Sequence, residues 1–490
     1  MAAQAIEDTV EELPFDAELA LRLHRADPAH YPCLLESAAS GTEQGRYDIL
    51  FAAPGERLVL DTDGRLAGPG ARANHDFLTA LNGWWQRERV ESTARDLPFR
   101  GGWFLYLGYE LAGQVESTLT LHRPSGLPIA AAVRVRCALI LDRAEERAWV
   151  VAEDGADEDR RRVLADVAAV DRSAPLRSDT PLLADTVSEE PAERYLDAVR
   201  RTKAYIGAGD VFQANLSRLW SARMATDADP LAFYLRLRES NPGPFAGLLR
   251  WGDQAVVSSS PERLLRLRDG IAETRPIAGT RPRDPDAATD RALSAELIRH
   301  PKERAEHIML IDLERNDLGR VCVPGTVDVD ELMVIESYAH VHHIVSNVRG
   351  RLRADVLPGD AVRAVFPGGT ITGCPKVRCM EIIDELEQSP RGPYTGSMGY
   401  LNRDGDLDLN ILIRTLHIDG HDLRFRAGGG IVADTQPEAE VEETRAKARG
   451  LLLALEQQAL TCCLTAARRR HCPRTTGASP TATACSKPFD

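Results

Sequence analysis

The stretch from residue 428 to residue 447 places the strongest constraint on how this chain can fold. Three glycines follow a strand-like segment at residues 422–426, and a short turn then leads into a predicted helix. On that helix Glu440, Glu443 and Lys447 recur at i, i+3 and i+7, a spacing that places all three charges on one face. Glycines at such a bend allow backbone amides to meet an anion, and two carboxylates one turn apart suit a hard cation such as Mg²⁺. The alternative interpretation is a solvated acidic helix after a glycine-rich turn.

A second acidic pair lies far away in the sequence. Glu303 and Glu306 are again spaced i and i+3, on a helix predicted over residues 287–313. Each pair alone is typical of a helix face that is exposed to water. Two pairs together are what a cation held between two helices requires, so the sequence supports a shared metal site and solvent exposure equally.

Composition excludes several classes of protein. With 490 residues, 43% hydrophobic and 27% charged, the chain has room for two or more domains or for one large layered domain. It contains neither an apolar run of about 18 residues nor a signal peptide, so we expect a cytoplasmic protein that does not enter membranes. The net charge of −14 argues against a nucleic-acid partner. Nine cysteines without paired C-x-x-C motifs predict reduced thiols rather than disulfides or a zinc site.

The order of apolar segments predicts three parts of the chain. Residues 1–180 alternate short apolar runs with turn residues and predict a strand-rich lobe, which leads into a linker at residues 172–191. The second part, residues 190–460, opens with a helix at residues 192–208. Its strands are predicted at residues 211–220, 245–250, 255–259, 327–338, 342–348, 396–401 and 408–415. The tail, residues 461–490, has few large apolar groups and predicts disorder without a catalytic role.

A glycine-rich segment, residues 366–376, stands before another predicted helix. Its Pro375 lies near the first turn of that helix, an arrangement that points free backbone amides at an anion. A simple tight connection is the alternative. We expect Cys374 and Cys379 to be small packed residues beside this segment.

Four motifs, in one order along the second part of the chain, resemble those of the chorismate-utilising enzymes. They are residues 260–263 (SPER), 274–280 (TRPIAGT), 312–320 (DLERNDLGR) and 369–376 (GTITGCPK). The glycine-rich stretch that ends at Lys447 belongs to the same signature. The family includes component I of anthranilate synthase and of aminodeoxychorismate synthase, isochorismate synthase and salicylate synthase. The resemblance implies an α+β fold in which two packed antiparallel β-sheets are surrounded by helices, with residues 1–180 interwoven in it.

The resemblance also implies roles for the acidic residues. Glu306 and Glu443 match direct Mg²⁺ ligands, and Glu303 and Glu440 match residues that hold metal-bound water. In the family this ion neutralises the ring carboxylate of chorismate and stabilises charge as the C4 hydroxyl leaves. Glu262 matches the general acid that protonates this oxygen, which requires an enclosed, acid-rich pocket.

Other matching residues surround the same substrate. The site implied for the enolpyruvyl carboxylate consists of Tyr394, Arg414, Gly428, Gly429 and Gly430. The arginine suits a bidentate contact with a carboxylate, and the glycines contribute backbone amides. Lys447 and Thr370 are implied to line the pocket. His343 matches an active-site histidine, although a single histidine on a strand is more often a core residue.

Gln213 indicates which nucleophile reacts. Family members that add water place a lysine base where this chain has Gln213, and a carboxamide cannot deprotonate water at ordinary pH. We therefore expect neither isochorismate synthase nor salicylate synthase activity. The expected nucleophile is ammonia, which needs no base and which a separate glutamine amidotransferase subunit supplies in relatives. The chain contains no recognisable amidotransferase module of its own.

The sequence features that distinguish the two amino-transferring relatives conflict with one another. Ala278 occupies a position where aminodeoxychorismate synthases carry a lysine that attacks C2, and alanine is usual in anthranilate synthases. Residues 34–37 (LLES) also resemble the tryptophan-binding segment of anthranilate synthase. Aminodeoxychorismate synthase is resembled more closely by residues 46–50, 97–102, 108–110 and 366–373. We therefore favour aminodeoxychorismate synthase component I, with anthranilate synthase component I as the alternative and a catalytically silent chorismate-binding subunit as an alternative of another class.

Overall fold

A 12-stranded sheet and an 11-stranded sheet, both antiparallel, form the framework of the protein. This computed structural model describes residues 9–38, 45–91, 97–177, 181–337 and 341–456, without the side chain of Lys302. The strands are β1 Thr9–Leu13, β2 Cys33–Glu36, β3 Tyr47–Ala52, β4 Arg57–Leu60, β5 Leu66–Ala67, β6 Gly102–Leu107, β7 Ala130–Val135, β8 Cys137–Asp142, β9 Arg147–Ala152, β10 Ser188–Glu189, β11 Gln213–Arg223, β12 Phe245–Trp251, β13 Gln254–Ser260, β14 Arg263–Arg268, β15 Ile271–Thr274, β16 Ile277–Pro282, β17 Asp328–Ser337, β18 Val341–Arg351, β19 Gly373–Cys374, β20 Ser397–Asn402, β21 Leu407–Asn410, β22 Thr415–Asp419 and β23 Asp422–Ile431. The helices are α1 Leu19–Ala26, α2 Phe77–Glu88, α3 Ala112–Val115, α4 Asp157–Ala169, α5 Ala192–Ala208, α6 Pro230–Ser240, α7 Ala287–Arg299, α8 Pro301–Gly319, α9 Pro358–Val365, α10 Lys376–Glu387 and α11 Pro437–Glu456, with short 3₁₀ turns at Tyr109–Leu111 and Gly369–Ile371.

Strands from early and late parts of the chain share both sheets. The first sheet has the order β1-β9-β8-β3-β2-β12-β13-β22-β23-β11-β10, with β19 paired to β11. The second has the order β16-β18-β15-β14-β21-β20-β6-β7-β4-β5, with β17 paired to β18. The early strand β2 pairs with β12, and the early strand β6 pairs with β20. The predicted α+β fold with two antiparallel sheets is confirmed.

The two sheets pack against each other through a shared apolar layer. Ile140 of the first sheet and Phe104 of the second both belong to this buried layer. Helices α1, α4 and α6 cover the outer face of the first sheet, and α2 and α9 cover that of the second. Helices α5 and α10 pack on β11 through Ala214 and Leu216. Because side chains alternate along a strand, Gln213 lies on the opposite face of β11.

Prolines and glycines decide how well the predicted helices match the observed ones. Helix α5 has its predicted bounds and ends at Gly209, whose φ of 86° is the left-handed conformation that favours glycine. The single helix predicted over residues 287–313 is wrong, because α7 and α8 meet at His300 and Pro301. Proline has no N–H for the helical ladder and clashes with the preceding turn, so it starts a new helix instead.

Two predictions about the strands near the candidate site are wrong. The strand predicted over residues 408–415 is interrupted between Asn410 and Thr415, where Arg414 takes a left-handed φ of 53°. The turn predicted at Gly428 and Gly430 is also absent from the described chain, since β23 continues through both glycines to Ile431.

The described residues up to Leu455 belong to one compact unit. The predicted disordered tail, residues 461–490, lies outside the described residues, as do residues 178–180 of the predicted linker. Within the described ranges, every helix is too short or too polar to cross a bilayer.

Candidate active site

The glycines of β23 form a floor that other side chains approach closely. Asn215 pairs with Gly430 in the register of β11 and β23. A methyl group built on Gly430 would lie 2.0 Å from Gln213 Nε2, and one built on Gly428 would lie 2.2 Å from the carbonyl oxygen of Leu216. Close approach of backbone therefore requires glycine at residue 428, and Gly430 leaves the space that the Gln213 carboxamide occupies; neither glycine forms a bend.

Three of the four predicted glutamates approach this floor from two different helices, whereas Glu303 lies against β16, with its Oε2 2.9 Å from a methyl group built on Gly279. A methyl group on Gly430 would lie 3.4 Å from Glu306 Oε1, which belongs to α8. On the neighbouring Gly429 it would lie 3.1 Å from Glu440 Oε2 and 3.5 Å from Glu443 Oε1, both of α11. The structure thus brings glutamates of two helices, distant in sequence, to adjacent residues of one strand.

Cationic and amide groups of the chain contact these glutamates. Gln213 Nε2 donates to Glu306 Oε1 at 3.2 Å, and Lys447 Nζ lies 2.8 Å from Glu443 Oε1. Glu303 Oε1 lies 3.2 Å from a guanidinium nitrogen of Arg281. The side chains of Lys447 and Glu443 are 44% and 50% exposed, so this part of the site opens toward solvent.

The acidic cluster carries unbalanced negative charge. Burial raises the pKa of Glu306, and the charges of Glu303 and Glu443 raise it further, against the opposing effect of Lys447. In the part of the chain that the structure describes, no three acidic, histidine or cysteine side chains are arranged to hold a metal ion. The donor set nevertheless fits Mg²⁺ in chemistry, since it offers carboxylate oxygens and an excess of negative charge.

Glu262 lies between β13 and β14 and is 5% exposed. Thr370 Oγ1 donates to Glu262 Oε1 at 2.7 Å. Burial raises the pKa of Glu262 to about 7, although Thr370, Arg414 and Lys447 each act to lower it. The carboxyl is therefore enclosed, and its pKa of about 7 leaves a substantial fraction of it protonated at neutral pH, as a general acid requires.

His343 on β18 is buried beside β16. Its Nδ1 lies 2.9 Å from Thr280 Oγ1 and 3.4 Å from the carbonyl oxygen of Gly279. Burial lowers the pKa of His343 to about 3, so the ring is neutral at ordinary pH. Ala278 of β16 pairs with Ile344 of β18. Its methyl side chain has no amine that could react with a substrate beside these strands.

Tyr394 and Arg414 occupy two loops at the ends of strands. Tyr394 is buried, and the guanidinium of Arg391 lies 5.4 Å from the centre of its ring. Arg414 has a left-handed backbone, and its carbonyl oxygen accepts a hydrogen bond from the Ser259 amide at 3.2 Å. Burial raises the pKa of Glu262 and lowers that of His343, and the positive charge of Arg414 lowers both.

Lys447 contacts the floor directly. Its Nζ donates to the carbonyl oxygen of Gly428 at 3.0 Å. Burial lowers the pKa of Lys447, but the neighbouring carboxylates of Glu443 and Glu440 outweigh that effect and raise it. The ammonium is therefore a fixed positive charge between the glycine floor and the acidic helix α11.

Sequence reasoning missed a buried arginine that connects several of these segments. Arg391 donates to Glu387 Oε1 at 2.6 Å, to the carbonyl oxygen of Asn215 at 2.7 Å and to that of Ile371 at 3.3 Å. It therefore fixes β11, the segment that carries Thr370 and the end of α10 relative to one another. A single arginine in a proline- and glycine-rich loop shows no periodicity, and only its nearness to Tyr394 in the sequence could have indicated it.

A second missed group is a buried acid behind the segment of Thr370. Glu314 on α8 is 5% exposed, and a methyl group on Gly369 would lie 3.4 Å from its Oε1. Burial raises the pKa of Glu314, and the nearby charge of Asp317 raises it further. Asp317 itself is paired with Lys376 at 2.5 Å. The motif at residues 312–320 thus contributes a second buried acid, whose pKa the negative charge of Glu262 also raises.

A separate cavity of about 970 Å³ is lined by residues of both sheets. Leu35, Glu36 and Ser37 of the LLES segment line it, together with Arg46 and Tyr47. Three of the five segments that distinguish the two amino-transferring relatives, residues 34–37, 46–50 and 97–102, therefore contribute to the lining of the same cavity.

Comparison with known proteins agrees with this architecture. The model of the chorismate binding enzyme family matches residues 32–453. An anthranilate synthase component I-like protein of Synechocystis sp. is 46% identical, over 84% of this chain and 83% of that protein. Aminodeoxychorismate synthase component 1 of Bacillus subtilis is 38% identical, and anthranilate synthase component 1 of Thermus thermophilus is 41% identical, each over 91% of this chain and 96% of the relative.

A solved structure resembles the fold as a whole. Anthranilate synthase component I from Streptococcus pneumoniae superposes with a TM-score of 0.74 at 30% sequence identity, over 84% of this chain and 93% of that chain. The range matched by the family model contains strands of both sheets and every segment of the candidate site. The chain therefore belongs to the family of chorismate binding enzymes.

Proposed function

We propose that this chain is component I of an aminodeoxychorismate synthase, which converts chorismate and ammonia to 4-amino-4-deoxychorismate and water for the synthesis of para-aminobenzoate and folate. The choice of product rests on residues 46–50, 97–102, 108–110 and 366–373, which resemble aminodeoxychorismate synthase. The observation that carries the choice of ammonia as nucleophile is Gln213, whose carboxamide contacts Glu306 at the glycine floor. A neutral carboxamide accepts no proton at ordinary pH and cannot turn water into hydroxide. Ammonia, which is already nucleophilic, fits such a site.

Mg²⁺ is the proposed cofactor. Glu306 and Glu443 would hold the ion directly, and Glu303 and Glu440 would hold it through water. When bound, Mg²⁺ neutralises the ring carboxylate of chorismate and stabilises the charge that develops as the C4–O bond breaks. Support comes from the raised pKa of Glu306, which burial and the neighbouring carboxylates cause and which a nearby cation would reverse.

Glu262 is the proposed general acid. Its proton passes to the C4 oxygen, which leaves as water, while ammonia forms the new C–N bond and then loses a proton to the Glu262 carboxylate. The hydrogen bond from Thr370 at 2.7 Å fixes the direction of the carboxyl group. A pKa of about 7, raised by burial, allows the same group to give and regain the proton near neutral pH.

A second group of residues is proposed to hold the enolpyruvyl carboxylate. Arg414 would make the bidentate contact, and Tyr394 and the amides near Gly428 and Gly430 would complete the site. His343, which burial keeps neutral, would act through hydrogen bonds and not as a positive charge. Lys447 contributes the fixed positive charge beside the floor.

Ammonia is proposed to come from a separate glutamine amidotransferase subunit. Relatives that are similar over most of their length carry the name component 1, which indicates enzymes of more than one subunit. In the absence of that partner, ammonium salts should support the reaction directly.

Anthranilate synthase component I is the second candidate. Ala278 favours it, because alanine cannot supply the amine that would attack C2 and direct ammonia to C4. The cavity lined by the LLES segment also favours it, as a site for tryptophan. This candidate predicts anthranilate and pyruvate as products, and inhibition by tryptophan.

The purified chain, incubated with chorismate, Mg²⁺ and ammonium chloride, separates the candidates. The proposal predicts 4-amino-4-deoxychorismate, detected by chromatography, and no pyruvate in an assay coupled to lactate dehydrogenase. Anthranilate with an equal amount of pyruvate would reassign the chain to the second candidate. Consumption of chorismate by neither route would identify a catalytically silent binding subunit.

A further inference from the structure

Two carboxamide oxygens on one face of β11 lack a hydrogen-bond donor in the described chain. Gln213 Oε1 and Asn215 Oδ1 are both shielded from bulk water, and no donor among the described residues reaches either atom. Buried acceptors are nearly always satisfied, because an acceptor that has lost water without gaining a donor is costly. Two such atoms, two residues apart on one strand, therefore point to a ligand that donates hydrogen bonds.

The orientation of each carboxamide is set by its nitrogen. Gln213 Nε2 donates to Glu306 Oε1 at 3.2 Å, and Asn215 Nδ2 donates to the carbonyl oxygen of Thr370 at 3.4 Å. Both partners are acceptors, so only the NH₂ group can face them. The two oxygens must then face away from Glu306 and Thr370.

The strand that carries the two oxygens is itself fixed. Cys379 Sγ donates to the carbonyl oxygen of Gln213 at 2.9 Å, and Arg391 Nη2 donates to that of Asn215 at 2.7 Å. The Cα atoms of residues i and i+2 of a strand lie about 6.6 Å apart, and their side chains are on the same face. One small molecule with two hydrogen bonds of about 2.9 Å joins acceptors that are at most about 5.8 Å apart. A single small donor therefore joins the two oxygens once the side chains of Gln213 and Asn215 lean toward each other by about 1 Å.

We propose that Gln213 and Asn215 together form the subsite that binds the reacting ammonia, an inference that rests on the proposed function. Ammonia donates two of its N–H groups to the two oxygens and keeps its lone pair for the ring. Neutral oxygens hold the molecule without taking its proton, so a water molecule in the same place stays unreactive. Thr370 contacts both Asn215 and Glu262, which places the subsite beside the proposed acid.

The test replaces the acceptor without changing the volume of the side chain much. In Asn215→Leu we expect the KM for ammonium to rise about tenfold or more, while the KM for chorismate stays within about twofold. The matched control is Asn347→Leu, which removes a buried asparagine that donates to Asp330 at 2.8 Å on β17. The control should leave both KM values unchanged. If Asn215→Leu does not fold, Asn215→Ala takes its place with the same expectation.

Asn215→Asp tests whether the oxygen of this side chain or its N–H group is the important one. It keeps an oxygen in place and loses the N–H that Thr370 accepts, so we expect an ammonium KM within about threefold of the wild-type value. An aspartate variant as impaired as the leucine variant would show that the contact to Thr370 matters instead, and would overturn the subsite. Equal rises in both KM values, or no rise at all, in an aminating protein would also overturn it. A wild-type chain that does not aminate chorismate would overturn the proposed function, and the subsite with it.

Discussion

Two buried carboxyl groups, Glu387 at the end of α10 and Glu262 between β13 and β14, have opposite electrostatic surroundings. Glu387 accepts hydrogen bonds from Arg391, Arg426 and Ser217. Burial raises its pKa, but the two arginines outweigh burial and lower the pKa below the ordinary value. Glu262 accepts a hydrogen bond from Thr370, and burial raises its pKa to about 7. Equal burial thus gives one carboxylate that is permanently charged and one carboxyl that exchanges its proton.

The difference distinguishes a carboxylate that stabilises the structure, Glu387, from the carboxyl groups that are proposed to act in the reaction, Glu262 and Glu306. The Glu387 cluster fixes the backbone of β11 and the loop of Tyr394 through matched charges. At Glu262 and Glu306, burial outweighs the nearby cations and raises the pKa, and neighbouring carboxylates add to this effect at Glu306. The same substitution of glutamate by glutamine should therefore have opposite consequences in the two regions.

The largest expected effect is on turnover, in Glu262→Gln. The glutamine keeps an oxygen for Thr370 but has no proton to give, so kcat should fall by roughly 10²–10⁴. Steady-state assays of the aminated product measure this change, with denaturation curves to show that the fold is retained. Glu145→Gln, an exposed position in the turn between β8 and β9, is the control. A kcat close to that of the wild type would exclude Glu262 as the acid.

Next in size is a loss of stability in Glu387→Gln. Removing this carboxylate leaves Arg391 and Arg426 as buried charges without their partner, which should cost about 3–5 kcal/mol. Urea denaturation measures the free energy of unfolding. The control is Glu442→Gln, whose carboxylate pairs with Arg445 on the surface and should contribute less than about 1 kcal/mol. An equally small effect in both variants would contradict the assignment of Glu387 as a structural group.

Glu306→Gln should act in the opposite way to Glu387→Gln. Turnover should fall by roughly 10–100-fold, because a proposed metal ligand is weakened. Stability should be unchanged or higher, because repulsion with Glu303 and Glu443 is relieved. Activity assays over a range of Mg²⁺ concentrations and urea denaturation measure the two effects. Wild-type activity in excess Mg²⁺ would count against the metal assignment.

The smallest expected effects are pH dependences of opposite sign. The acid Glu262 acts protonated, so kcat/KM for chorismate, measured at a constant concentration of free ammonia, should be constant below its pKa of about 7 and fall as pH rises above it. The folded protein also binds this proton more tightly than the unfolded chain, whose pKa is near 4.5, so Glu262 lowers stability as pH rises between these values. Glu387 has a lowered pKa, so its contribution to stability is lost as pH falls below 4.5.

Variants separate these two contributions to the pH dependence. Stability curves of Glu262→Gln should show a smaller decrease between pH 4.5 and about 7 than those of the wild type. Those of Glu387→Gln should show a smaller loss in acid. Identical pH profiles for both variants would remove the distinction between the two carboxyls.

Local sequence patterns predicted helices and strands well where the residues that start and end an element lie in the local sequence. Helix α5 combines apolar spacing with a terminal glycine, and its bounds follow from the sequence. The break at Pro301 could have been read from the proline, but the continuous helical spacing on both sides obscured it. The interruption at Arg414 depends on a left-handed backbone that arginine rarely adopts, so no local signal indicates it.

The sequence indicated the site residues that follow a local spacing or a family motif, but not those whose role depends on contacts between distant segments. The spacing of Glu440 and Glu443 placed both on one helix face, and the resemblance to the family joined them to Glu306. Asn215 and Arg391 were missed because their importance lies in contacts between segments far apart in sequence. The orphaned oxygen of Asn215 and the three contacts of Arg391 exist only after β11, α10 and the loop of Tyr394 have assembled.

Amination of chorismate with ¹⁵N-labelled ammonium tests the central claim most directly. The purified chain with chorismate, Mg²⁺ and labelled ammonium chloride should give a product in which mass spectrometry finds one ¹⁵N atom and an intact enolpyruvyl group. Labelled anthranilate with free pyruvate would contradict the proposed product and keep the claim that ammonia is the nucleophile. A product that carries oxygen from water and no ¹⁵N would contradict the claim itself, and with it the interpretation of Gln213.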